Sequence, residues 1–267
     1  MAELYNKKPN DGGVSESIGF LLIFSIVIAG IGLVTLYGYP LLVQQQVSAD
    51  EKIMEKNLIV LQNDIKSLAY KTVPYKETSL KIGGGSLAVY NSSYSQSSST
   101  LTITDSDASH TYITSFKPGE LRYESVSAQT DISLQNGAVV LRKHIEPGSA
   151  MLSEPRWFYD STIPTKKTMV INLINITSDD LMAKEGIGTV RMKLVGEPTY
   201  MYFPTPTQPI SGNLILTYTP NSTQNYSVAW GNYFKNTLKM TPVGTTYQLP
   251  PVDILVIKKY EVKIESI

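Results

Sequence analysis

Four Asn-x-Ser/Thr triplets carry the one modification chemistry that residue type and spacing spell out in this 267-residue chain: Asn91-Ser92-Ser93, Asn175-Ile176-Thr177, Asn221-Ser222-Thr223 and Asn225-Tyr226-Ser227. None has proline in the middle. Each offers an asparagine amide to N-glycosylation where the side chain is exposed and a transferase is present. A chain this rich in Asn, Ser and Thr also produces such triplets by chance. Asn91, Asn221 and Asn225 fall in loop-like sequence and are the stronger candidates; Asn175 falls in strand-like sequence.

Other reactive patterns are incomplete. Asp105-Ser106-Asp107-Ala108-Ser109 has the first three spacings of a calcium loop. It has His110 where the loop needs glycine and Phe116 where it needs glutamate, so an EF-hand is rejected. Gly83-Gly84-Gly85 has no following Gly-Lys-Ser/Thr and no helix start, and reads as a turn rather than a phosphate cradle. His110 and His144 have no local partners at ligand spacing, and there is no cysteine to bind zinc thiolate-fashion or form a disulfide. No G-x-S-x-G elbow, HExxH or paired-carboxylate constellation is present. The expectation is a non-enzymatic protein without metal or cofactor.

Lys plus Arg equals Asp plus Glu at 23 each, so the formal net charge is zero. Phosphate-backbone binding normally shows as a basic excess, and a nucleic-acid partner is disfavoured. Tyrosine is frequent, at 17 residues.

The elements that must carry these residues begin with an uncharged run, Ser17 to Ala49, whose apolar block extends from Ile18 to Val43. About 20 apolar residues suffice to cross a bilayer as a helix. A secretory signal peptide has an apolar region of about 7–15 residues and a small-x-small cleavage site; this block is longer and its end, VTLYGYP, offers no such site. Lys7 and Lys8 precede the block and Asp50 and Glu51 follow it, which orients the N-terminus inside and the C-terminus outside. Tyr37 and Tyr39 then sit at the outer interface. Ser15 suits an N-cap, placing Glu16 in the first turn, where the helix dipole favours a carboxylate. In a helix bundle Glu16 would instead need a cationic partner, because an unpaired charge in lipid is costly. Gly19, Ala29, Gly30, Gly32 and Gly38 permit close helix approach, or reflect the ordinary glycine content of membrane helices.

Past the block, Val47, Met54, Leu58, Leu61, Ile65 and Leu68 form an apolar stripe on one helical face. The helix is expected to run to Thr72, before Pro74, with a bend at Pro40. From Lys76 the period changes to two. Strands are expected at Leu80–Ile82, Leu87–Val89, Leu101–Ile103, Ile132–Leu134, Ala138–Leu141, Met169–Ile174, Val190–Val195, Leu214–Tyr218, Tyr226–Trp230 and Ile254–Ile257 toward Ile264, with a turn at Asn136-Gly137. The serine-rich stretch Asn91 to Thr100 reads as an exposed loop. The predicted class is α+β: a long N-terminal helix, transmembrane then amphipathic, packed on an antiparallel β-sandwich-like head.

A lysine-bearing polar leader, Gly12-Gly13, Val14-Ser15-Glu16-Ser17-Ile18-Gly19-Phe20, a continuous apolar helix, an amphipathic extension and a β head together resemble an archaeal type IV pilin-like protein with a class III signal peptide. The resemblance covers residues 1–72 in sequence and the remainder in architecture only. It implies a leader at residues 1–13, a transmembrane and assembly helix at 14–43, an amphipathic extension at 44–72 and an extracellular head at 73–267. It also implies a prepilin-type signal peptidase acting at Gly12, Gly13 or Val14, and assembly with itself or with other pilin-like subunits. A cut before Gly12 makes Glu16 the fifth mature residue, the assembly position of many pilins; a cut after Gly13 makes it the third. The sequence departs from the pattern in having Asp11, not a basic residue, directly before the glycines. The expected function is that of a cell-surface structural subunit, held in the membrane or in a filament. The alternative is a stand-alone anchored ectodomain that binds envelope polymer, glycan or protein.

Overall fold

The computed structural model describes residues 12–71, 73–92, 99–106, 110–145, 148–163 and 166–267. Residues 1–11 of the expected leader, Thr72, Asp107 and the centre of the serine-rich stretch lie outside them. The chain forms two compact units, Met1–Ser48 and Ala49–Ile267.

In the first unit, α1 (Gly12–Leu33) is followed by a five-residue π-helical turn at Val34–Gly38 and then by α2 (Tyr39–Lys71), which continues into the second unit. Ser15 has helical backbone within α1 (Gly12–Leu33), and Glu16 stands beyond the first turn of that segment. Glycine in a helix costs only about 1 kcal/mol relative to alanine, so Gly12 and Gly13 do not break a helix this apolar. The disturbance expected at Pro40 takes the form of the π turn. Proline cannot donate to the carbonyl four residues back and its ring crowds that carbonyl. The Tyr39 N–H accordingly donates to the Val34 carbonyl, five residues back. The apolar side chains from Ile18 to Leu42 are exposed, and the helix is long and apolar enough to cross a membrane. Two of its hydroxyls bond back to the helix: Ser25 donates to Leu21 O at 2.7 Å and Thr35 to Ile31 O at 2.9 Å.

Among the described residues, the second unit holds fifteen strands. They are β1 (Tyr75–Tyr90), β2 (Thr100–Asp105), β3 (Thr111–Phe116), β4 (Glu120–Ser125), β5 (Thr130–Gln135), β6 (Ala138–Lys143), β7 (Ser149–Ser153), β8 (Phe158–Asp160), β9 (Thr168–Thr177), β10 (Met182–Leu194), β11 (Thr199–Phe203), β12 (Leu214–Thr219), β13 (Thr241–Val243), β14 (Thr246–Leu249) and β15 (Ile254–Ser266). A large sheet has the order β7-β6-β5-β4-β1-β10-β15-β9-β8, with β11 also pairing β15; a small sheet has the order β13-β14-β12-β2-β3. The architecture is the expected α+β class with a sandwich-like head. Its departure from an antiparallel head is β9, which pairs in parallel with β15. A long crossover separates these two strands, as parallel neighbours require.

The large sheet is covered on both faces, giving three layers. On one face lies the stripe of α2: Met54, Leu58, Leu61, Ile65 and Leu68 are wholly buried against Leu80, Ile82, Ile174, Val190 and Val262. On the other lie the small sheet and α3 (Ser227–Asn232), which bury Met169, Ile171, Leu173, Leu255 and Ile257. Two-sided burial explains why β9 reads as a nearly continuous apolar run.

Two expected elements differ. Tyr226–Trp230 is the start of α3 and not a strand. Tyr226, Ala229, Trp230, Tyr233 and Phe234 are all buried, and their three- and four-residue spacing is helical. Gly83-Gly84-Gly85 is not a turn between two strands but a bulge inside β1. The register against β10 passes from Ile82↔Gly186 to Leu87↔Lys184, so four residues of β1 oppose one of β10. Gly84 takes φ +66°, and a side chain at Gly85 would lie 2.3 Å from the Glu124 carbonyl. The Asn136-Gly137 turn is as expected, with φ 48° and 71°.

Candidate functional site

The residues singled out in the sequence are dispersed. Gly12, Gly13 and Val14 have helical backbone in α1, and Glu16 is exposed on the same helix. Of the sequon asparagines, Asn91 is buried and its Nδ2, the atom a glycan would occupy, donates to Ser178 O at 2.6 Å. Asn221 is buried too, and its Oδ1 accepts from the Thr223 N–H at 2.9 Å. Asn175 is half-buried within β9. Asn225 alone of the four is exposed, its Oδ1 accepting from the Ser227 N–H at 2.8 Å. Asn91 and Asn221 are loop residues, as expected, but are drawn inward, Asn91 by its bond to the distant Ser178 and Asn221 with a local bond to Thr223.

Each histidine has a carboxylate partner in the fold. His110 Nδ1 lies 3.0 Å from Asp105 Oδ2, and His144 Nε2 lies 2.8 Å from Asp131 Oδ1. Asp131 also faces Arg142 at 3.3 Å. Among the described residues, no three His, Cys, Asp or Glu side chains converge to hold a metal ion.

A concave site arises where α2 ends. The face of the large sheet that α2 covers continues beyond the helix C-terminus, and there it is open. Strand register puts Tyr202, Val256, Val170 and Phe158 in one transverse row across β11, β15, β9 and β8. The next row holds Tyr200, Lys258 and Asn172. Tyr260, two residues on from Lys258 along β15, packs edge-on against Tyr70 of α2 with ring centroids 5.3 Å apart. The result is a groove of about 560 Å³ whose lining also includes Arg156. Its volume falls in the range of ligand sites, and its walls combine apolar and aromatic side chains with exposed polar groups.

The groove carries charge of one sign. Arg156 places its guanidinium 4.9 Å from the Tyr70 ring centre, and Lys258 Nζ lies 5.6 Å from that of Tyr200. No Asp or Glu lines the groove, and neither cation takes part in an ion pair among the described residues. Lys66, one turn before Tyr70, has its ammonium pKa lowered by burial and then by the nearby Arg156 charge. The Tyr260 hydroxyl is pushed up to about 12, first by burial and then by Tyr200. Burial likewise holds Tyr70 well above the usual phenol range. Both phenols stay neutral at physiological pH, so the tyrosines add no negative charge. Asn172 fixes the position of Arg156: its Nδ2 donates to the Arg156 carbonyl, and its own carbonyl accepts from Trp157 Nε1 at 2.5 Å. Trp157 is in turn stacked on Phe234 in the opposite core.

A second polar cluster is centred on a buried arginine. Arg122, buried in β4, reaches Glu120 at 2.7 Å and Glu124 at 2.6 Å and lies 3.7 Å from the Tyr90 ring centre. Ser133 donates to the other Glu120 oxygen. These groups satisfy one another, and the arrangement holds strands together without an opening for a substrate.

Sequence reasoning passed over the groove. The signals that pointed to it were the tyrosine count and the alternating Tyr200-Met201-Tyr202 of β11, neither of which says which strands become neighbours. No curated protein and no solved structure matches the chain. A family of unknown function, DUF7289, matches residues 13–242, from the expected leader boundary through α3. That span takes in most of the helical segment and most of the head, and the chain belongs to the DUF7289 family.

Proposed function

We propose that this is a non-enzymatic, pilin-like surface protein, with its N-terminal helix seated in the membrane or in a bundle of like helices and its β head outside. One contrast carries the reading. The apolar residues of α1 are exposed around the whole helix, whereas the apolar stripe of α2 in the second unit is wholly buried. Exposed apolar surface on this scale marks a lipid or protein contact, and a helix apolar on every side is a membrane span or the core of a bundle. Leader removal at Gly12, Gly13 or Val14 would free such a helix for assembly, with Glu16 near the new terminus.

The test is mass spectrometry of the N-terminus in the membrane fraction of the native host, together with a search for the protein in sheared surface filaments. A terminus at Gly12, Gly13 or Val14 with recovery in filaments is the expected result. An intact leader with absence from filaments overturns assembly, and a terminus beyond the apolar block overturns the membrane seat itself.

The groove favours a second reading, an anchored ectodomain that binds an envelope polymer. A structural subunit has no need of an open aromatic and cationic cleft on its head. An intact leader with surface exposure of the head would select this reading.

A further inference from the structure

We propose that the groove at the C-terminal end of α2 binds an acidic polysaccharide, with sugar carboxylates on Arg156 and Lys258 and sugar faces against the aromatic rings. The proposal rests on the ectodomain reading above, in which the head faces the envelope.

Three features identify the ligand chemistry. The first is charge. Arg156 and Lys258 line the groove, and among the described residues neither has an acidic partner and no carboxylate shares the lining. Two uncompensated cations in a concave site select an anion, and an arginine fork matches a carboxylate geometrically.

The second is the aromatic surface. Phe158 is 50% exposed, Tyr200 49% and Tyr202 59%. In a head whose other large aromatic residues are mostly interior, these rings face solvent from the same groove. Aromatic rings present flat apolar faces with, for tyrosine, a polar edge. That combination fits a pyranose ring, which has apolar C–H faces and hydroxylated edges. The row from Tyr202 to Phe158 crosses four strands, about 14 Å at the usual inter-strand spacing, long enough for an oligosaccharide.

The third is what the floor lacks. It is the face of a sheet whose backbone groups are paired between strands β11, β15, β9 and β8. An extended peptide gains its affinity from unpaired backbone at a sheet edge; here such backbone lies on the outer sides of β11 and β8, not across the floor, whose central strands β15 and β9 are paired on both sides.

The experiment uses the full chain in detergent and isothermal titration with trigalacturonate. Its methyl-esterified form is the neutral control, and a tetraglutamate peptide is the acidic non-sugar control. Tyr202→Ala and Lys258→Met are the test variants, because Tyr202 is exposed and Lys258 half-buried on the sheet face and neither belongs to a core; Val243→Ala, on an exposed strand of the small sheet, is the reference variant. The expected result is saturable trigalacturonate binding, weakened at least tenfold by esterification and by each test variant, unchanged by Val243→Ala, and not matched by the peptide. Equal binding of the peptide, equal binding of the ester, or trigalacturonate binding indifferent to Tyr202→Ala each overturns the proposal, as does absence of binding by a chain whose circular dichroism shows it folded. Because the titration uses purified protein, its failure is separate from a failure of the surface location, which the N-terminal and filament measurements test.

Discussion

The Asp50 carboxylate fills the space that a side chain at Gly83 would need: a Cβ built there lies 2.4 Å from Asp50 Oδ1. Asp50 is itself buried at the start of the head-packed part of α2, with Lys81 Nζ 3.9 Å away. The glycine bulge of β1 is thus the seat of the helix. Tyr123 and Ser125 fix it from the neighbouring strand by donating to the Gly83 and Gly84 carbonyls, both at 2.6 Å.

From this seat follows a ranked prediction. Gly83→Ala is expected to destabilise the head by about 1–3 kcal/mol, the usual range for overpacking, because the Asp50 side chain can give way. Gly85→Ala is expected to cost more, since its Cβ meets the Glu124 backbone carbonyl at 2.3 Å and the Tyr123 ring. Chemical denaturation of both variants measures the order; equal stabilities would show that the bulge is not a tight seat.

Gln62 ties α2 to the sheet through polar contacts within an apolar stripe. It is wholly buried, donates to Gly137 O at 2.6 Å and Glu154 O at 3.1 Å, and accepts from Ser153 Oγ at 2.6 Å. Gln62→Ala strands these partners without water, and each buried unpaired group costs about 1–3 kcal/mol. The melting temperature is expected to fall by roughly 2–4 °C per kcal/mol lost. An unchanged melting temperature would mean that water replaces the amide.

Glu120 predicts a pH dependence. Burial pushes its carboxyl up, against the pull of Arg122 and the Ser133 hydrogen bond. Between the unfolded carboxyl value, about 4.3, and the raised folded value, the folded state binds more protons than the unfolded one. Stability therefore falls as pH rises through that window. Glu120→Gln removes this contribution, so its stability from about pH 4 to about pH 7 is expected to fall less than that of the parent chain. Parallel curves would place the carboxyl at its ordinary value.

Asn225 is the sequon expected to carry any glycan. It is exposed, while the Asn91 amide is engaged with Ser178 and Asn221 is buried. Glycopeptide mass spectrometry of host-made protein is expected to find modification at Asn225 and to lose it in Asn225→Gln. Occupancy at Asn91 with Asn225 bare would contradict the burial argument.

Local order was legible in the sequence. Met54, Leu58, Leu61, Ile65 and Leu68 announced a helix with one buried face, the Asn136-Gly137 pair announced its turn, and alternation marked most of the longer strands. These are properties of single elements, because side-chain period follows from backbone geometry. Tertiary structure alone decided the rest. The parallel pairing of β9 with β15, the passage of β1 through three glycines and the burial of Asn91 all depend on which segments become neighbours. The groove is the extreme case. Tyr70, Arg156, Tyr202 and Lys258 come from four distant parts of the chain, and strand register rather than local sequence sets them around one space.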